Sequence, residues 1–513
     1  MMKRRAALIL STALACTMAL NVCAEEPEKS SKDNLVIAMA GDCQQIGYAQ
    51  NGRMVASLTA PTLLNCVQTE TGSYEYVTEN SIVESYEWTE DNTHIVLKLR
   101  EDVPMHDGTM LDAYDVVYSI ENTDLLGSVN GINIDFENIE AVDDYTVDIG
   151  FLSARISNWK DLGERMIFSK EAYEECGDFD VFTTSDAFAS YGPYRVTDWV
   201  AGDTMSFEKF DDYFLGNDST INTITIRRID ESTVAMMELQ TGGVDMILYP
   251  AQSDIDDVKA GVYENVKYQT CPGLYQQLIV FNLDESSACA DVRVRQAICY
   301  AIDKQAMWEG AFEYSGTLAE TVASQTLEFM EPMEDPYPQD LEKAKELMEE
   351  AGLTEGSTLT VCVDNDTYRT TAVEMFKNSM SQIGINVEIK TGDNASYLAD
   401  VTQTVDWDLE FGKSGSMGSI AKWLEGWWIV FHHGDTASED FTECLDMINQ
   451  ILSTYDDSER EELTKTFAEK FTKEWCLTYP IRQDEYATLV NAKLEGFSLA
   501  GEQLNVTGAY FAE

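Results

Sequence analysis

Apolar residues along this chain recur in two rhythms, short runs that alternate or stay continuous and longer stretches spaced three to four apart, and the two take turns. That alternation predicts a mixed α/β chain. Leu35 to Gly41 (LVIAMAG) reads as a buried strand, left through the loop Asp42-Cys43-Gln44-Gln45-Ile46-Gly47. Met54, Val55, Leu58, Leu63 and Leu64 predict a helix and a strand ending at Asn65. Ile82 to Leu99 holds two strands turned at Glu90-Asp91-Asn92, and Asp112 to Ile120 is a helix. Asp143 to Phe151 alternates as a strand, Ile224 to Ile229 is another, and Ala235 to Leu239 is a helix.

The second half repeats the rhythm. Leu278 to Phe281 is a buried strand ended by Asn282. Val292, Ala297, Ile298, Ala301 and Ile302 then recur at helical spacing, with Asp291 placed to cap the helix and meet its positive end. Leu341 to Gly352 is an amphipathic helix stopped by its glycine. Leu359–Val363, Ala372–Ile383 and Gly384–Ile389 read strand, helix, strand, which calls for a parallel sheet. Asp406 to Gly412 is a further strand leading into Lys413-Ser414-Gly415-Ser416, and Tyr479–Arg482 and Ala487–Val490 are the last predicted strands.

The first 24 residues depart from this pattern. A basic head (Lys3, Arg4, Arg5), an apolar run from Ala6 to Leu20 and a small-residue exit make a secretory signal. Two exits are open: cleavage after Ala24, or lipidation of Cys23 within Leu20-Asn21-Val22-Cys23. Residues 25–34 are a polar tether. With 91 acidic against 34 basic residues the formal charge is −57, a field that argues against nucleic acid or anionic lipid as partners. It suits a solubilising surface, with attraction of cationic solutes as the functional alternative. Eleven cysteines occur, Cys16 and Cys23 inside the signal; the nine others include no C-x-x-C pair, and their odd number excludes complete internal pairing. Buried thiols and a disulfide or two are both open.

Catalytic chemistry finds little purchase. His106-Asp107 has the composition of half a triad, but no G-x-S-x-G elbow exists, and four histidines do not build a histidine-rich metal site. Asp107-Gly108 reads instead as a turn between strand and helix. No cofactor or metal is called for, and a secreted hydrolase is disfavoured.

Several segments, taken in order, carry a resemblance. They are Leu99-Arg100 with Val103, His106-Asp107-Gly108-Thr109, then Ala113 with Asp115-Val116-Val117 and Ser119-Ile120. Gly192-Pro193-Tyr194, Asp212-Tyr213-Phe214-Leu215-Gly216 and Gly243-Val244-Asp245 follow. Phe281-Asn282, Asp291-Val292-Arg293-Val294-Arg295-Gln296-Ala297-Ile298, Tyr300-Ala301-Ile302-Asp303-Lys304 and Gly384-Ile385-Asn386-Val387-Glu388-Ile389 complete the set. Together, over about residues 35–500, they resemble the peptide/nickel-type (dipeptide/oligopeptide-binding) extracellular solute-binding proteins of ABC transporters.

The resemblance implies an α/β, two-lobed periplasmic-binding-protein-like fold of type II with an extra subdomain in the first lobe. Lobe I would be 35–65, 191–271 and 481–513; the subdomain 66–190; and lobe II 272–480. Hinges are placed at Leu274–Leu278 and Tyr479–Arg482. The implied role is capture of a small solute, peptide by default, by a monomer at the outer face of the cytoplasmic membrane or in the periplasm, for delivery to the permease and its ATPase. Oligosaccharides, polyamine-like cations or nickel chelates are the alternative cargo, and a surface sensor is the alternative use of the fold. Candidate ligand residues are Gln44, Tyr275, Asn282, Gly412, Lys413, Ser414, Gly415, Ser416, Trp423, Trp427 and Tyr479. In peptide-binding relatives an Asp beyond the loop after the "D-x-x-x-x-G" strand holds the ligand's ammonium; here that Asp is absent and Glu425 is the nearest acid. Lys413 would answer a carboxylate or stand as a solvated charge. Trp423 and Trp427 would stack on a ligand or pack as core.

Overall fold

In the computed structural model the described residues are 28–48, 50–69, 72–122, 133–176, 188–415, 423 and 439–513. One sheet of eleven strands runs through them. Its spatial order is Asn386–Gly392, Thr358–Asp364, Leu409–Gly415, Val266–Phe281, Thr478–Asn491, Met246–Leu248, Asn34–Met39, Thr223–Arg228, Thr204–Lys209 and Tyr194–Val200, with the short strand Thr317–Leu318 added against Thr478–Asn491. The two central strands are the long ones, of 16 and 14 residues, paired antiparallel from Val266↔Asn491 to Val280↔Thr478. At about 3.3 Å per residue each runs on the order of 50 Å, enough to cross from one packed body to another.

The cores divide along these strands. One cluster is built from residues between Leu35 and Leu274 and from Tyr486 to Phe511. A second, between Ile279 and Ile481, lies on the far half of the sheet, and a third between Leu278 and Leu477 backs its other face. The change falls between Leu274 and Leu278 on one strand and between Ile481 and Tyr486 on the other. There the pairing register shifts, between Pro272 and Gln276 and again between Gln277 and Leu278. A bulge leaves residues unpaired and bends the strands locally.

A separate four-stranded antiparallel sheet, ordered Val83–Trp88, His94–Leu99, Thr146–Phe151, Ile134–Asp143, carries the small subdomain. The helix Ala113–Glu121 opens with a capping box in which Asp112 accepts from Tyr114 N and Asp115 N while Asp115 accepts from Asp112 N. Asp291, Asp303, Asp340, Asp366, Asp393 and Asp456 cap later helices without the reciprocal bond, each accepting from one backbone N–H of the first turn. Part of the acidic excess is therefore structural, each carboxylate meeting orphan amides at the positive end of a helix.

Three readings of the sequence need revision. The strand seen at Leu278–Phe281 is the end of the long strand that begins at Val266. Leu63 and Leu64 do not form a strand ending at Asn65: the helix stops at Thr59, Pro61 blocks its continuation, and Asn65 begins the hairpin strand Asn65–Gln68. The strand predicted at Asp406–Gly412 spans Leu409–Gly415. Asp408, just before it, is occupied as an acceptor for Ala288 N and Thr360 N, both at 2.8 Å.

His106 is buried in a structural role. Its Nε2 lies 2.9 Å from Gly192 O and Nδ1 accepts from Ser190 N at 3.3 Å, and burial depresses its pKa to about 4. Gly108 takes a φ of 89°, as the turn at Asp107-Gly108 requires. The nine cysteines among the described residues, Cys43 to Cys476, are all unbridged; Cys299 Sγ and Cys476 Sγ approach to 3.5 Å.

Candidate functional site

The junction between the two halves gathers several candidate residues. Leu409–Gly415 pairs with the connecting strand Val266–Phe281 through Tyr275↔Gly415, Gln276↔Ser414, Gln277↔Lys413 and Leu278↔Gly412. Side chains alternate across the sheet, so Tyr275 and Lys413 share a face, and Lys413 Nζ stands 5.2 Å from the centre of the Tyr275 ring. Glycine is demanded twice here. A Cβ on Gly415 would lie 2.2 Å from Leu274 O, and one on Gly412 would lie 2.8 Å from the Tyr397 hydroxyl.

Beneath this pair lies a polar group drawn mainly from the first half, which the sequence reading did not anticipate. Glu502 is 2% exposed, and its Oε2 lies 3.6 Å from Arg53 Nε. Tyr249 and Tyr486 meet edge to face with ring centres 6.0 Å apart. Burial, then the Glu502 carboxylate, pushes the Tyr275 hydroxyl up to about 12. Glu502 itself is raised by burial, against the pull of Arg53, Tyr486 and Lys413. Its members are far apart in sequence, and the only local sign was a lone acid in Ser498-Leu499-Ala500-Gly501-Glu502-Gln503-Leu504.

A second network backs the junction from the other half. Arg369 Nε bonds Asp364 at 2.9 Å and its Nη1 reaches Gln277 Oε1 at 3.0 Å; Gln277 Nε2 donates to Asp484 at 3.2 Å, and Asp484 pairs with Arg482 at 3.2 Å. The chain of bonds ties the second half to both connecting strands.

Other candidates lie elsewhere. Asn282 is fully buried at the opposite end of its strand, donating to Val405 O and Trp407 O and accepting from Asp284 N. Tyr479 is buried, with its hydroxyl on Asp335 Oδ2 at 2.9 Å. Both are engaged inside the second half. Trp423 is 2% exposed and packs edge-on against Phe471 at 5.7 Å, the core alternative. Gln44 is exposed on the loop after the first strand. Ser416, Trp427, Glu425 and Cys23 lie outside the described residues.

One cavity of about 380 Å³ lies in the first half, between Tyr48, Arg53, Glu164 and Phe214, and a more open one of about 630 Å³ lies between His106, Glu175 and Arg195. Among the described residues no three His, Cys, Asp or Glu side chains are grouped to hold a metal ion, and no helix is long and apolar enough to cross a membrane.

The sequence profile of the bacterial extracellular solute-binding proteins, family 5 middle region, matches residues 78–442. The chain belongs to this family. It is similar to the glutathione-binding protein GsiB of Escherichia coli K12, 25% identical over 419 residues that cover 75% of this chain and 77% of that protein. Among solved structures it is similar to the ABC transporter substrate-binding protein CtaP of Listeria monocytogenes, with a TM-score of 0.76 and 20% identity over 94% of this chain and 100% of that one. The periplasmic binding protein DppA of Helicobacter pylori, in complex with the peptide STSA, gives a TM-score of 0.73 and 19% identity over 94% and 98% of the two chains. The fold is thus the two-lobed type II periplasmic-binding-protein architecture. This family 5 protein is the extracytoplasmic solute-binding receptor of an ABC importer, and the homologues it matches are binding proteins rather than enzymes.

Proposed function

We propose that this receptor captures a short peptide between its lobes and hands it to the permease without performing chemistry on it. The observation that carries the reading is the division of the cores along Val266–Phe281 and Thr478–Asn491, because two adjacent strands bent at register shifts allow two bodies to move about one line. The hinges are Leu274–Leu278 and Tyr479–Arg482, with lobe I, its subdomain and lobe II as the sequence divides them. Glutathione in the name of GsiB and the peptide bound to DppA support peptide as the cargo.

Gln44, Tyr275, Lys413, Ser414 and Gly415 face the solute in this reading, with Lys413 meeting a carboxylate. The protein acts as a monomer taking one ligand, and is held at the outer membrane face by a lipid on Cys23. Titration calorimetry of the exported protein against defined di- and tripeptide pools tests the cargo. Saturable binding at one per chain is expected, and binding confined to sugars would overturn it. Intact mass of the protein from membranes tests the anchor, which cleavage after Ala24 would exclude.

A further inference from the structure

Cys299 Sγ and Cys476 Sγ lie 3.5 Å apart, although their residues are 177 positions apart in the chain. Both side chains are fully buried. Cys43 Sγ and Cys271 Sγ, by contrast, meet backbone carbonyls, Gln45 O at 3.5 Å and Gly501 O at 3.8 Å. Two core cysteines in contact are ordinarily no more than small apolar residues. Two features set this pair apart.

The first is the helix Val292–Ala301, which holds the Cys476 segment at two points. Arg295 and Cys299 stand one turn apart on one face of that helix, as positions i and i+4 do. Arg295 is buried, and its Nε donates to Trp475 O and Cys476 O, both at 3.1 Å, while Nη1 donates to Cys289 O at 2.8 Å. One turn on, the sulfur of Cys299 meets that of Cys476. The guanidinium therefore fixes the backbone carrying one sulfur against the helix carrying the other. The second feature is the backbone of Cys476, left-handed at φ 48° and ψ 51°. It follows the helical turn Phe471–Trp475, where glycine is the ordinary residue because it adopts this conformation without strain. A thiol stands there against a backbone cost.

We propose that Cys299 and Cys476 are a disulfide-forming pair, shown here reduced, which a disulfide donor closes in the extracytoplasmic compartment. Such a compartment is where structural disulfides form and persist. The chemistry is two thiol–disulfide exchanges. While the chain is still open, the Cys299 thiolate attacks one sulfur of the donor, giving a mixed disulfide and releasing one donor thiolate. Folding brings up Cys476, whose thiolate attacks Cys299 Sγ and expels the second donor thiolate. The two cysteine protons end on the two donor thiols, and two electrons pass from the cysteines to the donor. Burial opposes the Cys476 thiolate, but the Cys299 contact and the Arg295 charge bring its pKa below the ordinary thiol value, which suits the second attack. The bridge would tie the helix Val292–Ala301 to the root of the connecting strand, since Thr478 begins that strand two residues after Cys476. One bridge also fits the odd count of nine, leaving seven thiols. The inference does not depend on the identity of the solute.

The test equilibrates the exported protein in oxidised and reduced glutathione, with urea just below its unfolding midpoint to open the buried site. Iodoacetamide then labels the free thiols of the unfolded chain. Intact mass should count seven labelled cysteines of nine, and an unreduced digest should contain the Cys299 and Cys476 peptides joined. The oxidised protein should melt several degrees above its dithiothreitol-reduced form, because the bridge closes a long loop in the unfolded chain. Two variants guard against misfolding: Cys476→Gly suits the left-handed backbone, and Cys299→Ala keeps a small apolar residue in the core. Each should show eight labelled thiols and no change of melting temperature on oxidation. Nine labelled thiols in the native chain, a bridge through any other cysteine, or an oxidative shift that survives both substitutions would overturn the inference.

Discussion

Lys160 Nζ, in the small subdomain, lies 3.4 Å from Glu328 Oε2, which belongs to the segment packed on the other lobe. Glu328 Oε1 is held in turn by Arg460 Nη2 at 2.9 Å. Burial opposes the ionised form, but Lys160 and Arg460 hold the Glu328 carboxyl below its ordinary range. Backbone bonds from Ile156 N to Leu452 O and from Tyr74 N to Thr326 O cross the same boundary. The lobes therefore touch at a second place, away from the connecting strands.

Removing that ion pair should act on lobe closure more than on folding. Lys160→Ala leaves Glu328 compensated by Arg460, so stability should fall by no more than ~1 kcal/mol. The same ~1 kcal/mol taken from the closed state weakens solute binding about fivefold. Urea denaturation and calorimetric affinity, measured side by side, separate the two effects.

Gly415→Ala should damage the junction directly. Its Cβ would meet the backbone of Leu274, O at 2.2 Å and C at 2.7 Å, which cannot yield cheaply, and the Tyr275 ring at 2.8 Å. A loss of about 1–3 kcal/mol in stability, with a larger loss of affinity than Lys160→Ala causes, is expected in the same pair of measurements.

Glu410 gives a pH dependence of definite sign. It is fully buried, its Oε1 has no hydrogen-bond partner in the structure, and burial raises its pKa from 4.5 to about 7 despite the Tyr397 hydroxyl and Arg369. The unfolded chain gives up this proton first, so stability should fall as pH rises from about 4.5 to 7. Glu410→Gln removes that slope and should be ~1–3 kcal/mol more stable than the native protein near pH 7.5, with the gap closing by pH 4.

His106 works the other way. Its folded pKa is depressed to about 4, so the unfolded chain takes up the proton first and stability is lost as pH falls from 6.5 toward 4. In His106→Gln that component disappears, and solute affinity at neutral pH is unchanged. Thermal melts across the pH range check both variants.

The fold was legible wherever a local cause fixed an element. Asp291 ahead of Val292–Ala301 and Gly352 after Leu341–Glu350 mark helix ends by capping chemistry, and both ends lie within two residues of their expected places. The first half of Val266–Phe281 was not legible, because Lys267, Gln269 and Thr270 are polar and the strand is held there by pairing to Thr478–Asn491. Tyr275, Lys413 and Gly415 were named from the resemblance, and the structure brings them together. Asn282 and Tyr479 were named the same way, but only their hydrogen bonds show that they serve the interior. Glu502, Arg53, Tyr249 and Tyr486 escaped notice because nothing local links residues 53 and 502; only tertiary folding does.

Small-angle scattering of the exported protein during titration with trialanine tests the central claim most directly. Closure of two lobes on a solute predicts a decrease in radius of gyration that saturates at one ligand per chain and is reduced in Gly415→Ala. A saturating calorimetric signal with an unchanged scattering profile would contradict it, by placing the ligand on a body that does not close.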